Sequence, residues 1–267
     1  MELQKIAAEL DVNGVALFAI SYDSVATLKA FADKHGITYP LLADERGRVI
    51  RELGIRDDEL DTHHAEFGRP VQDFQWGVAY PGIFLLNRNG VVTRKRFHGN
   101  YRTRDTGGGL LEAALGIASE RHGAEQTAAG DEAVRVRAYV DTPAYRPYQR
   151  FLLVAELTVA PGYHVYAAPI PEGYVPLTVE AEPIEGLIAG EASWPAPHPF
   201  KVQGLDEDFR VLEGDVRGTL PHSLTKMDAG DQVITATIRY QACSETLCLR
   251  PAAVRVELPV SLAEAVQ

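Results

Sequence analysis

Cys243 and Cys248 are the only cysteines among 267 residues, and both lie in one short segment, YQACSETLCLRP. A thiolate is both the nucleophile of disulfide exchange and a soft metal ligand, so any thiol chemistry in this chain must happen there. Metal binding fits the pair poorly, because the usual thiolate spacing and two further nearby ligands are missing. His63-His64 with Glu66 could also suggest a metal site. Neighbouring residues on one loop or strand rarely converge on one ion, and the segment reads as a polar excursion. No metal and no other cofactor is expected. His98 reads as a surface residue at a strand end, and Trp76 and Trp194 as core or edge packing. The run Glu59–Asp61 and the DEDF stretch read as solvated loop charges. There is no G-x-S-x-G and no triad order that would support a serine nucleophile.

The elements that must position these residues fall into two halves. Residues 1–120 read as α/β. Leu3, Ile6, Ala7 and Leu10 recur at helical spacing, and Val15–Ser21 is an apolar run suited to a buried parallel strand. Ser24 can cap a helix carrying Val25, Leu28 and Phe31 on one stripe and ending at Gly36. GIFLLNRNGVVTRKRF carries a hairpin signal at Asn89-Gly90, and Gly107–Gly109 precede a helix over Leu110–Glu120. Residues 121–133 are small and polar without periodicity and read as a linker. In residues 134–262 the period becomes two. The alternating sets are Val134–Val140, Phe151–Val159, Val175–Ala181, Ile234–Tyr240 and Val254–Leu258, which argues for an antiparallel β-sandwich.

Composition sets outer bounds. With 46% hydrophobic and 24% charged residues the chain reads as globular rather than disordered or fibrous. Lys plus Arg is 26 and Asp plus Glu is 37, a net charge of −11, and no basic stripe suits a nucleic-acid duplex. No apolar run approaches the roughly 18 residues of a membrane span. The start, MELQKIAAELDVNG, carries acids and no apolar core of a signal peptide.

VALFAISYDSVATLKAFADKHGITYPLLADERGRVIRELGI, followed by YPGIFLLNRNGVVTRKRFHGNY, resembles a peroxiredoxin of the AhpC/TSA type on the thioredoxin fold. The resemblance implies an antioxidant-type domain whose peroxide-attacking Cys lies upstream of the first residue here. Residues 1–242 contain no Cys, so this chain is not expected to reduce peroxide by the family's mechanism. It also implies a core strand between Val15–Ser21 and Ile83–Asn87 that is absent, so Met1 reads as an internal start. Pro81 matches the thioredoxin-fold proline that faces the active site, which is usually cis.

APGYHVYAAP, WPAPHPFKVQGLDEDFRVLEGDV and IRYQACSETLCLRPAAVRVELPV resemble the N-terminal domain of the thiol:disulfide interchange protein DsbD, an immunoglobulin-like sandwich. The resemblance implies that Cys243 and Cys248 are a redox pair. It puts Tyr163, His164 and Tyr166 beside them, with His164 and Tyr166 favoured because they share a face. It further implies a covering loop within Phe200–Leu212, with Phe209 and Phe200 both candidates for its aromatic cap. Strand arithmetic adds a condition. Pairing Ile234, Ala236 and Ile238 with Val254, Val256 and Leu258 needs an even sum, whereas 243 + 248 is 491, so one residue must be absorbed by a bulge or at Pro251. Alternation turns Cys243 off the apolar face, making it the expected point of attack.

The resulting expectation is a thiol–disulfide oxidoreductase. It exchanges electrons with thioredoxin-fold or other dithiol proteins, outside the cytoplasm as the resemblance implies. Closing so short a loop stabilises by only about 2 kcal/mol, which argues against a purely structural staple. The rival readings are a binding module whose disulfide merely ties a hairpin, and an inactive truncated redoxin.

Overall fold

The structure is a computed structural model that describes residues 2–65, 68, 70–75, 77–98, 103–118, 125–129, 131–201, 207–226 and 230–263. Glu66, Trp76, residues 121–124 and 130 of the expected linker, and residues 202–206 of the expected covering loop lie outside the described residues. The chain divides into two compact units, Met1–Ile117 and Ala118–Gln267.

The first unit is α/β. Helix α1 (Glu2–Val12) buries Ile6 and Leu10 against Leu110 and Leu111 of a later helix, and strand β1 (Ala19–Ser21) follows. Helix α2 (Val25–His35) starts where the Thr27 N–H donates to Ser24 Oγ and ends at Gly36, whose φ of 61° lies in the left-handed region. Strand β2 (Leu41–Ala43), helices α3 (Arg48–Glu52) and α4 (Leu60–Ala65) and the hairpin β3 (Gly82–Leu86) and β4 (Val92–Phe97) come next. Strand β5 (Arg104–Asp105) leads into α5 (Gly107–Leu115), which Thr106 caps by accepting from the Gly109 N–H. The three glycines therefore begin this helix rather than precede it.

Strands β1 and β2 pair in parallel, while β3 and β4 pair antiparallel about Asn87–Gly90, where Asn87 Oδ1 accepts from the Asn89 and Val91 N–H groups. The two pairs form separate sheets. A cleft of about 530 Å³, lined by Ile20 and Ser21 of one and Ile83 and Phe84 of the other, also takes in Pro81. Here the apolar run Val15–Ser21 departs from expectation. Only its last three residues form a strand, and Phe18 and Ile20 stay 58% and 42% exposed, because alternate side chains point to opposite faces and the face of Val15 and Leu17 is the one packed against the core. The Tyr80–Pro81 bond is trans. The described residues contain one cis bond, Ala168–Pro169. Pro81 leads straight into the extended chain of β3, which the ordinary trans form suits. His98 is not a free surface residue either. Its Nε2 lies 3.0 Å from Oδ2 of buried Asp105, whose carboxylate also accepts two bonds from Arg96 at 2.6 and 2.9 Å. Burial raises the Asp105 pKa, but the His98 and Arg96 bonds outweigh it and hold the pKa below the usual value.

The second unit is a sandwich of mainly antiparallel strands, with one short parallel pairing, Ser261↔Ala144 to Leu262↔Tyr145. Its strands are β6 (Glu125–Ala129), β7 (Val134–Val140), β8 (Ala144–Tyr145), β9 (Gln149–Val159), β10 (His164–Tyr166), β11 (Thr178–Ala181) and β12 (Leu187–Ala189). They continue as β13 (His198–Phe200), β14 (Phe209–Leu212), β15 (Asp215–Leu224), β16 (Gln232–Tyr240), β17 (Ala242–Cys243) and β18 (Ala252–Leu262). One sheet runs β12-β15-β9-β7-β6 and another β11-β16-β18-β8. Val136, Leu153, Ala155 and Leu157 of the first meet Ile234, Ala236, Ile238, Val256 and Leu258 of the second in one fully buried core. The stretch read as a linker contains β6, which pairs with β7 from Glu125↔Tyr139 to Ala129↔Arg135. Backbone pairing onto a ready strand edge, not apolar alternation, makes this strand, so the side-chain pattern did not announce it. Strand β15 was equally hidden, because it contains Gly218 and Pro221. Gly218 lies under Trp194, and the Pro221 carbonyl accepts from the Gly190 N–H at 2.7 Å. His222, next to that proline, is 1% exposed and stacks on Phe151 at 5.9 Å. Burial lowers its pKa to about 4, partly offset by a bond to the Leu220 carbonyl.

Candidate functional site

A third, smaller sheet of order β13-β14-β10-β17 carries the cysteines. Its register sets His164 opposite Cys243, Val165 opposite Ala242, Tyr166 opposite Val211 and Phe200 opposite Phe209. Because side chains alternate, the strands divide cleanly. Val165, Leu212 and Ala242 enter the main core, while Tyr166, Phe209, Val211 and Cys243 form a second buried cluster with Ile170, Tyr174 and Phe200 against it.

Cys243 and Cys248 are joined in a disulfide, with Cα atoms 4.0 Å apart. The register arithmetic is resolved near Pro251. Strands β16 and β18 pair with sums of 492 as far as Tyr240↔Ala252, whereas the Leu249 N–H donates to the Ala242 carbonyl and Cys243 faces Cys248, sums of 491. The intervening turn is knitted by Ser244. Its N–H donates to the Leu247 carbonyl and its Oγ accepts from Thr246 and Leu247. Buried Gln241 donates from Nε2 to the Leu249 carbonyl at 3.2 Å and accepts the Val175 N–H at 3.1 Å, tying the arm that bears Cys248 to the loop after β10.

The two sulfurs are not equivalent. Cys243 is 1% exposed, whereas Cys248 is exposed. This corrects the expectation that Cys243 is the accessible one. Its side chain does leave the main core, as alternation requires, but the aromatic cluster covers that second face. Tyr166 Oη lies 3.6 Å from Cys248 Sγ and, since a disulfide sulfur has no proton, the hydroxyl donates. Burial raises the Tyr166 pKa, so the hydroxyl keeps its proton at neutral pH.

Of the aromatic residues singled out from sequence, four assemble here. The His164 ring lies 4.2 Å from Phe200 and 5.4 Å from Tyr166, and Tyr166 lies 5.2 Å from Phe209. Tyr163 does not join them. It sits one step out of phase and packs against the sandwich core. Tyr174, 5.2 Å from Tyr166 and 4.9 Å from Phe209, belongs to the cluster but was passed over in the sequence, since its segment has no period to mark it. His164 is 3% exposed and its Nε2 has no hydrogen-bond partner among the described residues. Burial lowers its pKa, the Glu213 carboxylate pulling the other way, so the ring is neutral at pH 7. Among the described residues no cluster of His, Cys, Asp or Glu is placed to hold a metal ion, and no helix is long and apolar enough to cross a membrane.

A disulfide with one exposed and one buried sulfur is consistent with thiol–disulfide exchange. None of the curated proteins matches the chain. Among solved structures, the N-terminal periplasmic domain of ScsB from Proteus mirabilis is 17% identical, with a TM-score of 0.37 over 52% of each chain. This chain therefore spans about half of that domain's length. The DsbD N-terminal domain of Neisseria meningitidis in its reduced form is 19% identical, with a TM-score of 0.28 over 41% of this chain and 75% of the other. The same domain in complex with the PilB N-terminal domain is 17% identical, with a TM-score of 0.29 over 40% of this chain and 73% of the other. Residues 1–95 match the AhpC/TSA family, and residues 130–259, which hold the disulfide and the side chains packed on it, match the family of the thiol:disulfide interchange protein DsbD, N-terminal.

Proposed function

We propose that the second unit is a thiol–disulfide oxidoreductase that relays electrons to or from dithiol partners, thioredoxin-fold proteins among them. The observation that carries this is the asymmetry of the disulfide: Cys248 is exposed beside the Tyr166 hydroxyl, and Cys243 is buried. A partner's thiolate attacks Cys248 Sγ. The Cys243–Cys248 bond breaks, a mixed disulfide forms, and Cys243 leaves as a thiolate that takes up a proton. A second partner thiolate then attacks the mixed disulfide and releases Cys248. Run backwards, the dithiol reduces a partner. Tyr166 orients and polarises the attacked sulfur, while Phe200 and Phe209 keep water from the buried one. The family match to residues 130–259 supports the reading.

The setting fits an oxidising compartment outside the cytoplasm, where such a bond persists. Residues 1–120 contain no Cys and are assigned no peroxide step. A redox titration of the intact chain in glutathione buffers tests the proposal. A potential above about −300 mV supports exchange, and a lower one identifies a hairpin staple.

A further inference from the structure

Beside the disulfide lies an open groove of about 740 Å³. One bank is the segment through Gly162 to His164, another is Glu213-Gly214, and Phe200 and the Ser244–Thr246 turn between the two cysteines complete it. Three observations bear on what it takes. First, the groove adjoins the reacting bond, since the turn that closes it joins Cys243 to Cys248 and His164, which lines it, is the cross-strand partner of Cys243. Second, its charge has one sign. It is lined by the carboxylates of Glu213 and Glu245, and no Lys or Arg is among the described residues lining it. Among the described residues, His198 Nε2 makes a basic contact there, 3.6 Å from Glu213 Oε1, with both side chains about half exposed. Third, it holds a polar atom that wants a partner. His164 is 3% exposed, lines the groove, and its Nε2 is unpartnered among the described residues. An orphaned buried ring nitrogen is satisfied by an incoming hydrogen-bonding group.

We propose that this groove seats the polypeptide flanking a partner's reactive cysteine and selects segments carrying Lys or Arg beside that cysteine. Glu213 and Glu245 receive the cationic side chains, and His164 Nε2 takes a hydrogen bond from the partner's backbone. The inference rests on the exchange reading above and adds the substrate class. In the step concerned, the peptide thiolate bonds to Cys248 Sγ, the Cys243–Cys248 bond breaks, and the Cys243 thiolate takes up a proton, balancing the one the peptide thiol lost on ionising.

The test compares two reduced peptides, acetyl-Lys-Cys-Lys-amide and acetyl-Glu-Cys-Glu-amide, reacting with the full oxidised chain. Mixed-disulfide formation is followed by acid quenching and intact mass, with dithiothreitol as an uncharged thiol. The Lys-to-Glu rate ratio is measured for the native chain, for E213Q/E245Q, and for E180Q/E191Q, which removes the same charge outside the groove. Taking the ratio across proteins cancels the peptides' own thiol acidities. The expected result is a ratio roughly tenfold higher in the native chain than in E213Q/E245Q at low salt. The excess disappears near 1 M salt, where screening acts within about 3 Å. E180Q/E191Q keeps the native ratio, and dithiothreitol reacts alike with all three. Equal ratios in the native chain and E213Q/E245Q overturn the groove assignment and leave exchange standing. An equal fall in E180Q/E191Q overturns it as well, because net charge then accounts for the preference. Failure of every thiol, dithiothreitol included, to open the folded disulfide overturns the exchange reading and this inference with it.

Discussion

At the scale of the residue, exposure decides the chemistry. Cys243 and Cys248 are chemically alike in the sequence, yet the fold buries one to 1% and leaves the other exposed. Cys243→Ser is therefore expected to accumulate a stable mixed disulfide when its Cys248 thiolate attacks a partner disulfide and expels that partner's second thiol, while Cys248→Ser traps none. Intact mass after incubation with an activated disulfide distinguishes them, and trapping by Cys248→Ser alone would reverse the assignment. A second residue-scale effect sits far from the sulfurs. The pKa of His222 falls from 6.5 to about 4 in the folded chain because burial disfavours the charged ring. A base whose pKa is depressed by folding contributes stability above 6.5 and loses it as pH falls towards 4. The loss amounts to about 3 kcal/mol by pH 4. Denaturant midpoints at pH 7 and pH 4.5 should differ accordingly, and His222→Phe should flatten the difference.

At the scale of the element, close packing sets the tolerances. A β-carbon at Gly218 would sit 2.2 Å from Trp194 Cε3, so Gly218→Ala forces the indole off strand β15. Its expected cost is about 1–3 kcal/mol, read as a lowered melting temperature, with Trp194→Leu relieving part of it. The same strand marks the limit of what the sequence disclosed. Strands β7, β16 and β18 were legible because burial on one face writes a period of two into the residues, and β9 because its core face, Phe151 to Val159, keeps that period even though Leu152 and Val154 are buried on the other face. Strands β15 and β6 were not. In β15 the signal is broken by Gly218 and Pro221, which serve a ring and a carbonyl. In β6 pairing is carried by the backbone, which has no letter code. The site divides the same way. His164, Tyr166, Phe200 and Phe209 could be nominated from their types and a family likeness, and the register slip at Pro251 followed from arithmetic. Which sulfur is covered could not, because alternation turns Cys243 off the main core without showing that a second cluster, with Tyr174 added from a loop, waits on the other face. The short β1 shows the converse failure. Val15–Ser21 reads as a buried strand, yet full burial needs packing on both faces, and here Val15 and Leu17 are partly buried while Phe18 and Ile20 are exposed.

At the scale of the whole molecule, two units of different grammar share a chain, and thiol chemistry resides in one of them. The disulfide closes a loop of few residues, so reducing it should destabilise the second unit by only about 2 kcal/mol. Calorimetry of oxidised and reduced protein is expected to show the same cooperative transition moved by a few degrees, and a collapse of that transition on reduction would instead identify the bond as a staple. Strand β17 explains why the unit survives. Ala242 is held in the sandwich core, and Cys243 is held among the aromatic rings on the other face. The backbone therefore holds Cys243 in place independently of the bond, and the Leu249 N–H bond to the Ala242 carbonyl keeps the arm bearing Cys248 beside it. Once a visiting protein is tethered to Cys248, the waiting thiol at Cys243 faces it at the high effective concentration of an intramolecular neighbour. In the direction in which the dithiol reduces a partner, attack by Cys243 re-forms the Cys243–Cys248 bond and frees the visitor as a thiol, so that covalent encounter is brief.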